Sequence, residues 1–270
     1  MDPQVFEKFR AIIYKESGIV IAPEKLPLLS NRINKRLSQL GIKSEAEYLH
    51  IIETQLDGNE LVQLIDVVST NVTHFYRESG HFSVYRDYLA SLARTSQRTI
   101  KVWCAAASSG EEPYTLGFEA ASALENTNVE YRILATDICT KVLNFAVQRT
   151  YSDNAAQSIP TDIRTKYLVP HIENGARVWV VSDEISKQLL FKRMNLVSYP
   201  YPVHGPIDVI FCRNVMIYFD TSTRAKIVKE FWRILRPGGL LFLSYSENLL
   251  GVDHSYEKIS GSIFRKGTNE

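Results

Sequence analysis

The sequence is short of the features that mark several large classes of protein. Its 270 residues hold only three cysteines, Cys104, Cys139 and Cys212. They are widely spaced and never form a CxxC pair, so neither a disulfide framework nor a zinc site is expected, and no other metal. No apolar run approaches the roughly 18 residues that suggest a spanning helix, which argues against membrane insertion. The start, Met1-Asp-Pro-Gln-Val-Phe-Glu-Lys8, has no basic stretch leading into an apolar one and does not read as a secretory signal. An excess of one charge is missing too, since 31 Lys+Arg stand against 30 Asp+Glu. Phosphate binding usually leaves a strong basic excess, so nucleic acid is not expected as a partner. What remains is an ordinary globular mixture, 45% apolar and 23% charged, expected in the reducing cytoplasm.

The first part of the chain reads as helices only. Phe6, Phe9, Ile12 and Ile13 recur at helical spacing, as do Leu26, Leu29, Ile33, Leu37 and Leu40, the latter run closed by Gly41. Ser44-Glu-Ala-Glu47 has the form of a capping box opening a third helix with Tyr48, Leu49, Ile51, Ile52 and Leu56. Leu61, Leu64, Ile65 and Val68 suggest a fourth. Four short amphipathic helices can bury one small core together.

From Thr99 the grammar changes. Strand-like runs at Thr99–Cys104, Val129–Thr136, Leu189–Met194, Ile207–Cys212 and Leu240–Ser244 alternate with helical runs at Pro113–Leu124, Thr140–Gln148 and Thr221–Leu235. That alternation predicts an α/β fold, a mostly parallel sheet with helices on both faces. Arg236-Pro-Gly-Gly239 reads as a turn between the last helix and the last strand. Residues 151–188 break the rhythm: Lys166-Tyr-Leu-Val169 and Arg177-Val-Trp-Val-Val181 flank Glu173-Asn-Gly175, a hairpin signal and hence a small antiparallel insertion. The expected organisation is a helical domain over residues 1–75, a linker helix over 76–98, and an α/β domain over 99–270.

Four groups of residues are suited to chemistry. The small-residue loop Ala105-Ala-Ala-Ser-Ser-Gly110 lies between a strand and a helix, where backbone can approach a ligand closely; a plain tight turn would look the same. Asp137 closes the second strand, placed either to accept hydrogen bonds from a ribose diol or to cap the following helix. Together they favour a single nucleoside over a dinucleotide, because neither GxGxxG nor GxxxxGKS/T occurs. Asn71, Thr73 and Arg77 crowd a polar and aromatic segment that is otherwise an interdomain linker. Arg213, Asn214 and Tyr218 follow the Ile207–Cys212 strand, where ligands of open α/β sheets gather, although Tyr218 would also serve as a core aromatic.

Read in order, Asn71-x-Thr73-x-Phe75-Tyr76-Arg77, Ala105-Ala-Ala-Ser-Ser-Gly-Glu-Glu-Pro-Tyr114, Ala135-Thr-Asp137-Ile138, Asn195-Leu196 and Phe211-Cys-Arg213-Asn214-Val-Met-Ile-Tyr218-Phe219 resemble the chemotaxis receptor methyltransferases of the CheR family. These are protein-glutamate O-methyltransferases. The resemblance covers nearly the whole chain; Tyr76 stands where that family usually has Phe. It implies a class I S-adenosylmethionine-dependent methyltransferase fold, Rossmann-like, with an N-terminal all-α domain and a small antiparallel β-subdomain. The implied cofactor is S-adenosyl-L-methionine, with S-adenosyl-L-homocysteine as product. The implied partners are the cytoplasmic domains of chemoreceptors, the methyl-accepting chemotaxis proteins, with a receptor C-terminal peptide added to the edge of the β-subdomain in some members.

Laid on this sequence, the resemblance implies that Asp137 holds the adenosyl ribose, with Asn195 and Leu196 near the adenine. Glu111 and the Ala106–Gly110 loop would approach the methionine moiety, as would Arg213 and Asn214, while Asn71, Thr73 and Arg77 close the pocket. Arg77 and Tyr218 would lie nearest the transferred methyl and the incoming glutamate. Arg32, Lys35 and Arg36, at i, i+3 and i+4 beside Lys25, suggest a basic docking face for an acidic receptor bundle, or only a solvated face. Two other readings stay open: a methyltransferase of another substrate, weakened by the lack of an Asn-Pro-Pro-Tyr motif, and a cofactor-binding regulatory module without transfer activity.

Overall fold

The computed structural model describes residues 1–54, 58–95 and 98–268. Leu56 and residues 96, 97, 269 and 270 of the expected spans lie outside the described residues. Four helices open the chain: α1 (Pro3–Ser17), α2 (Leu26–Leu40), α3 (Glu45–Thr54) and α4 (Asn59–Val68). Their apolar stripes, including Phe6, Phe9, Ile33, Leu37, Tyr48, Leu49, Leu64 and Ile65, meet in a core of their own. Each fully buried side chain of this kind contributes about 1.5–3 kcal/mol, which lets a bundle this short persist. Ser44 caps α3 through the Glu47 amide at 3.2 Å, as its spacing predicts. The Glu47 carboxylate, however, accepts from the Lys43 amide one residue earlier than a full capping box requires.

Helix α5 (Gly80–Thr95) leads into β1 (Ile100–Cys104), α6 (Glu111–Leu124), β2 (Tyr131–Asp137) and α7 (Thr140–Gln148). Then follow β3 (Thr150–Ser152), α8 (Asp153–Ala156), α9 (Thr161–Tyr167), β4 (Leu168–Glu173), β5 (Ala176–Val181) and α10 (Asp183–Ser186). The chain returns through β6 (Leu189–Arg193), β7 (Ile207–Phe211), α11 (Thr221–Ile234), β8 (Leu235–Phe242), β9 (Glu257–Ser260) and β10 (Ile263–Arg265). One sheet has the order β6-β2-β1-β7-β8-β10-β9, parallel from β6 through β8 and antiparallel at β10 and β9. The insertion forms its own antiparallel sheet in the order β3-β5-β4, with Asn174-Gly175 at the hairpin turn.

The structure corrects three expectations. Arg236–Gly239 is not a turn ahead of the strand but its first half: β8 begins at Leu235, and a register shift against Ile207/Val209 absorbs the extra residues. Lys166 and Tyr167 end α9 rather than opening the hairpin. The β9–β10 hairpin was not expected at all. Its β9 strand is exposed along its whole length, so no alternation marks it in the sequence.

Candidate active site

The sheet order reverses between β1 and β7, with β2 and β6 laid to one side and β8 to the other. In open α/β sheets ligands bind outside the carboxyl ends of the strands at such a point. A cavity of about 930 Å³, counting the space open to solvent, lies there.

The strand ends supply one wall. Past β1 the loop is tied to both neighbouring strands, the Ala105 amide to the Phe211 carbonyl at 2.7 Å and the Ala107 amide to the Thr136 carbonyl at 2.9 Å. That leaves Ala105, Ala106 and Ser108 lining the cavity. Gly110 and Glu111, both expected near the ligand, do not line it. A Cβ on Gly110 would come within 2.5 Å of the Tyr151 hydroxyl and 2.8 Å of Ala146, at a φ of +98°, so packing against α7 and β3 dictates this glycine. Glu111 turns aside to accept a 2.6 Å hydrogen bond from Ser109, and burial pushes its carboxyl up. The next residue, Glu112, faces the cavity instead.

Asp137 reaches the cavity from the end of β2. Its carboxylate accepts the amides of Ser108 and Cys139 at 2.8 and 2.9 Å. Those bonds fix its direction and leave lone pairs for a ligand diol. Burial still pushes its carboxyl up, against the opposing effect of the amides. The alternative role of capping α7 falls mainly to another residue: Asp66 of α4 accepts the amides of Thr140 and Lys141 at 2.9 and 3.2 Å.

Arg213 lies beneath, its side chain without solvent exposure. The guanidinium meets Glu112 at 2.7 Å, Glu78 at 3.1 Å and the Arg77 carbonyl at 2.5 Å. Burial pushes Glu112 up, while Arg213 pulls the other way. Burial also works against ionisation of Glu78, but Arg213 and the Tyr245 amide outweigh it and hold that carboxyl below its ordinary value. Asn214 follows at φ +57°, its side chain on Ser244 at 2.8 Å.

Two further walls come from outside the sheet. The stretch Val68–Thr73 with Arg77 closes one side. The Asn71 carbonyl accepts from Ser108 at 3.1 Å, and Arg77 folds back onto the Val72 carbonyl at 2.8 Å. Opposite, Asn195 and Leu196 line the cavity with Tyr218 and with Ser17 and Ile19 at the end of α1. The amide nitrogen of Asn195 donates to the Glu16 carbonyl at 2.6 Å. The cavity thus gathers Asn71, Thr73, Arg77, Ala106, Asp137, Asn195, Leu196, Arg213, Asn214 and Tyr218. Of the basic cluster on α2, Lys35 is exposed. Arg32 is committed to the carbonyls of Val68 and Ser69 and the Thr70 hydroxyl, and Arg36 to Glu60 through two 2.8 Å bonds. Neither arginine is a free surface cation.

Residues 4–69 match the family described as CheR methyltransferase, all-alpha domain, and residues 71–265 match CheR methyltransferase, SAM binding domain. The chain belongs to the CheR methyltransferase family. A chemotaxis protein methyltransferase of Salmonella typhimurium is 36% identical to it, over 96% of this chain and 88% of its own length. That of Escherichia coli is 34% identical over 93% and 86%, and chemotaxis protein methyltransferase 2 of Pseudomonas aeruginosa 32% over 96% and 91%. This CheR chain is therefore a methyltransferase dependent on S-adenosylmethionine (SAM), with a class I fold, an all-α N-terminal part and a small antiparallel sheet. The cavity suits that cofactor: a directed carboxylate at Asp137, apolar Ile138, Met194 and Leu196 for a base, and the Glu112 carboxylate, braced by the buried Arg213, for an amino-acid end. Among the described residues no group of three or more His, Cys, Asp or Glu side chains is arranged to hold a metal ion. No helix among them is long and apolar enough to cross a membrane.

Glu112, Asp66, Ser17 and Ile19 were missed in the sequence. Glu112 stands beside Glu111 in one acidic pair, and about 100° of helix rotation decides which faces the ligand. Asp66, Ser17 and Ile19 carry no local signal.

Proposed function

We propose that this CheR methyltransferase methylates glutamate side chains in the cytoplasmic domains of chemoreceptors, giving glutamate methyl esters. The reading is carried by one cavity at the crest of the sheet that is lined both by Asp137 and by Arg77 and Tyr218. When bound, SAM supplies a methyl group on a positively charged sulfur. Asp137 holds the ribose diol, Asn195 and Leu196 flank the base, and Asn214 and Glu112 meet the amino-acid end, with the buried Arg213 holding Glu112 in place. Asn71 and Thr73 shut the site from the segment ahead of α5.

The residues at the mouth have a light task. A glutamate with a pKa near 4.3 is already a carboxylate at pH 7, so no residue has to remove a proton. Arg77 orients that carboxylate and Tyr218 hydrogen-bonds beside it. A guanidinium that neutralised the carboxylate fully would dull it as a nucleophile, and Arg77, shared with the Val72 carbonyl, is suited to orienting it. Transfer disperses two opposite charges, so alignment and exclusion of water supply most of the acceleration.

Receptor recognition uses two further surfaces. Lys35 on the outer side of α2, with Lys25 just ahead of the helix, meets acidic receptor helices, while Arg32 and Arg36 build the helix that presents them. A receptor C-terminal peptide adds to β4, an edge strand paired only with β5, along which Val169 and Ile172 are exposed.

Incubation with methyl-labelled SAM and a receptor cytoplasmic domain tests the function. Base-labile label on receptor glutamates is expected. Cofactor binding without transfer would replace the reading with a regulatory module, and label on another substrate would replace it with a different transferase.

A further inference from the structure

The end of α1 touches every element that carries the far wall of the cavity. Its last residues are Ser17, which lines the cavity, and Gly18, which ends the helix at φ +71° with its amide on the Tyr14 carbonyl. Ile19 lines the cavity as well. The Val20 amide donates to the carbonyl of Tyr218 at 2.8 Å. The Glu16 carbonyl receives the Asn195 side chain at 2.6 Å, and the Tyr14 hydroxyl donates to Asp220 at 2.6 Å. Asp220 in turn caps α11 through the Thr223 amide at 2.7 Å. Thus Tyr218 itself, Asp220 just beyond it, and the loop holding Asn195 are bonded to one helix end some 180 to 200 residues away in sequence.

We infer that the C-terminal turn of α1 is a positioning element of the transferase site, setting where Asn195 and Tyr218 stand. The inference rests on the cofactor-binding and transfer roles proposed above. Gly18 shows how closely the parts are fitted: a Cβ there would sit 2.5 Å from Val197 Cγ1 and 3.4 Å from both Phe219 and Thr223. A flexible tether would not need contact this close. The helical part therefore does more than present a docking face; its first helix completes the cofactor wall.

The chain carries a matched control. Gly41 ends α2 with the same left-handed backbone, φ +69° and an amide on the Leu37 carbonyl, yet a Cβ there meets nothing within 4 Å. Gly18→Ala and Gly41→Ala share the backbone strain of an L-residue in that conformation. They differ in the interdomain contact. S-adenosylhomocysteine affinity, turnover with receptor and melting temperature should be measured for both in the full chain, with Tyr14→Phe as a variant that removes one hydrogen bond and no packing.

Gly18→Ala is expected to weaken S-adenosylhomocysteine binding and lower turnover at least tenfold each, with its melting temperature falling further than that of Gly41→Ala because it adds the contact with Val197 to the shared backbone strain. Gly41→Ala should stay within twofold of the parent in binding and turnover, and Tyr14→Phe should lower turnover several-fold at unchanged melting temperature. Equal binding and equal turnover for the two glycine variants would overturn the inference. If Gly18→Ala fails to fold, unchanged turnover in Tyr14→Phe overturns it instead. Absence of receptor methylation by the parent chain would undo the proposed function, and the affinity comparison would still decide this inference.

Discussion

The Glu247 carboxylate receives the backbone amide of Asn214 at 2.9 Å, joining the loop after β8 to the left-handed residue after β7. The same carboxylate accepts the amides of Met216 at 2.9 Å, Ser244 at 2.9 Å and, more distantly, Ile217 at 3.4 Å. One buried side chain thus gathers the turn that leads to Tyr218. Burial pushes its carboxyl up and the amides oppose that shift.

Glu247→Gln replaces one of two accepting oxygens with a donor that faces amide N–H groups. Losing hydrogen bonds to a charged acceptor costs about 1.5–3 kcal/mol each. The variant should unfold at lower denaturant and bind S-adenosylhomocysteine more weakly, because Asn214 shifts. Chemical denaturation with a parallel titration checks both.

Arg77→Ala separates orientation from binding. Turnover should fall about 100-fold, the scale of a misplaced reacting group, while S-adenosylhomocysteine affinity falls much less, by the share Arg77 has in closing the pocket. Single-turnover kinetics beside equilibrium binding makes the comparison; unchanged turnover would remove Arg77 from the transfer step.

The arginines of α2 give a stability prediction. Arg36 and the Tyr48 hydroxyl bond Glu60 at 2.8 and 2.7 Å inside the helical core. Burial works against the charged form of Glu60, yet those two bonds outweigh it and hold the carboxyl below its ordinary value. A lowered carboxyl pKa stabilises the fold above the unfolded value near 4.3, and that contribution is lost as pH falls through the folded value. Glu60→Gln should cost about 1–3 kcal/mol at pH 7, with the deficit shrinking below about pH 4. Denaturation across that range measures it. Charge reversal at Arg36 would therefore damage the bundle, and Lys35→Glu is the clean test of docking: receptor encounter should slow at low salt and recover little difference at high salt.

What the sequence reveals and what it hides have physical reasons. Helices α1, α2 and α4 and, to within one residue, the strand ends at Cys104, Asp137 and Phe211 are local matters of period, capping and breakers, and their residues announce them. Pro113 reads as a helix start because proline tolerates a first turn, but α6 begins at Glu111, so both glutamates lie in its first turn and Glu112 is the one that faces the cavity. Glu247, Asp66 and the end of α1 act on residues 30 to 200 positions away, and nothing local distinguishes them from surface residues. Arg32 and Arg36 mislead for the same reason: helical spacing groups them, while their partners lie across the bundle.

In the proposed site Asp137 seats the nucleoside of the cofactor at the crest of the sheet. Calorimetric titration of S-adenosylhomocysteine and its 2′-deoxy analogue into the parent chain and Asp137→Ala tests it in one experiment. The parent should prefer the full ribose at least tenfold, as expected for hydrogen bonds to a charged acceptor, and the variant should have lost that preference. Equal discrimination by parent and variant, or full affinity in Asp137→Ala, would contradict it.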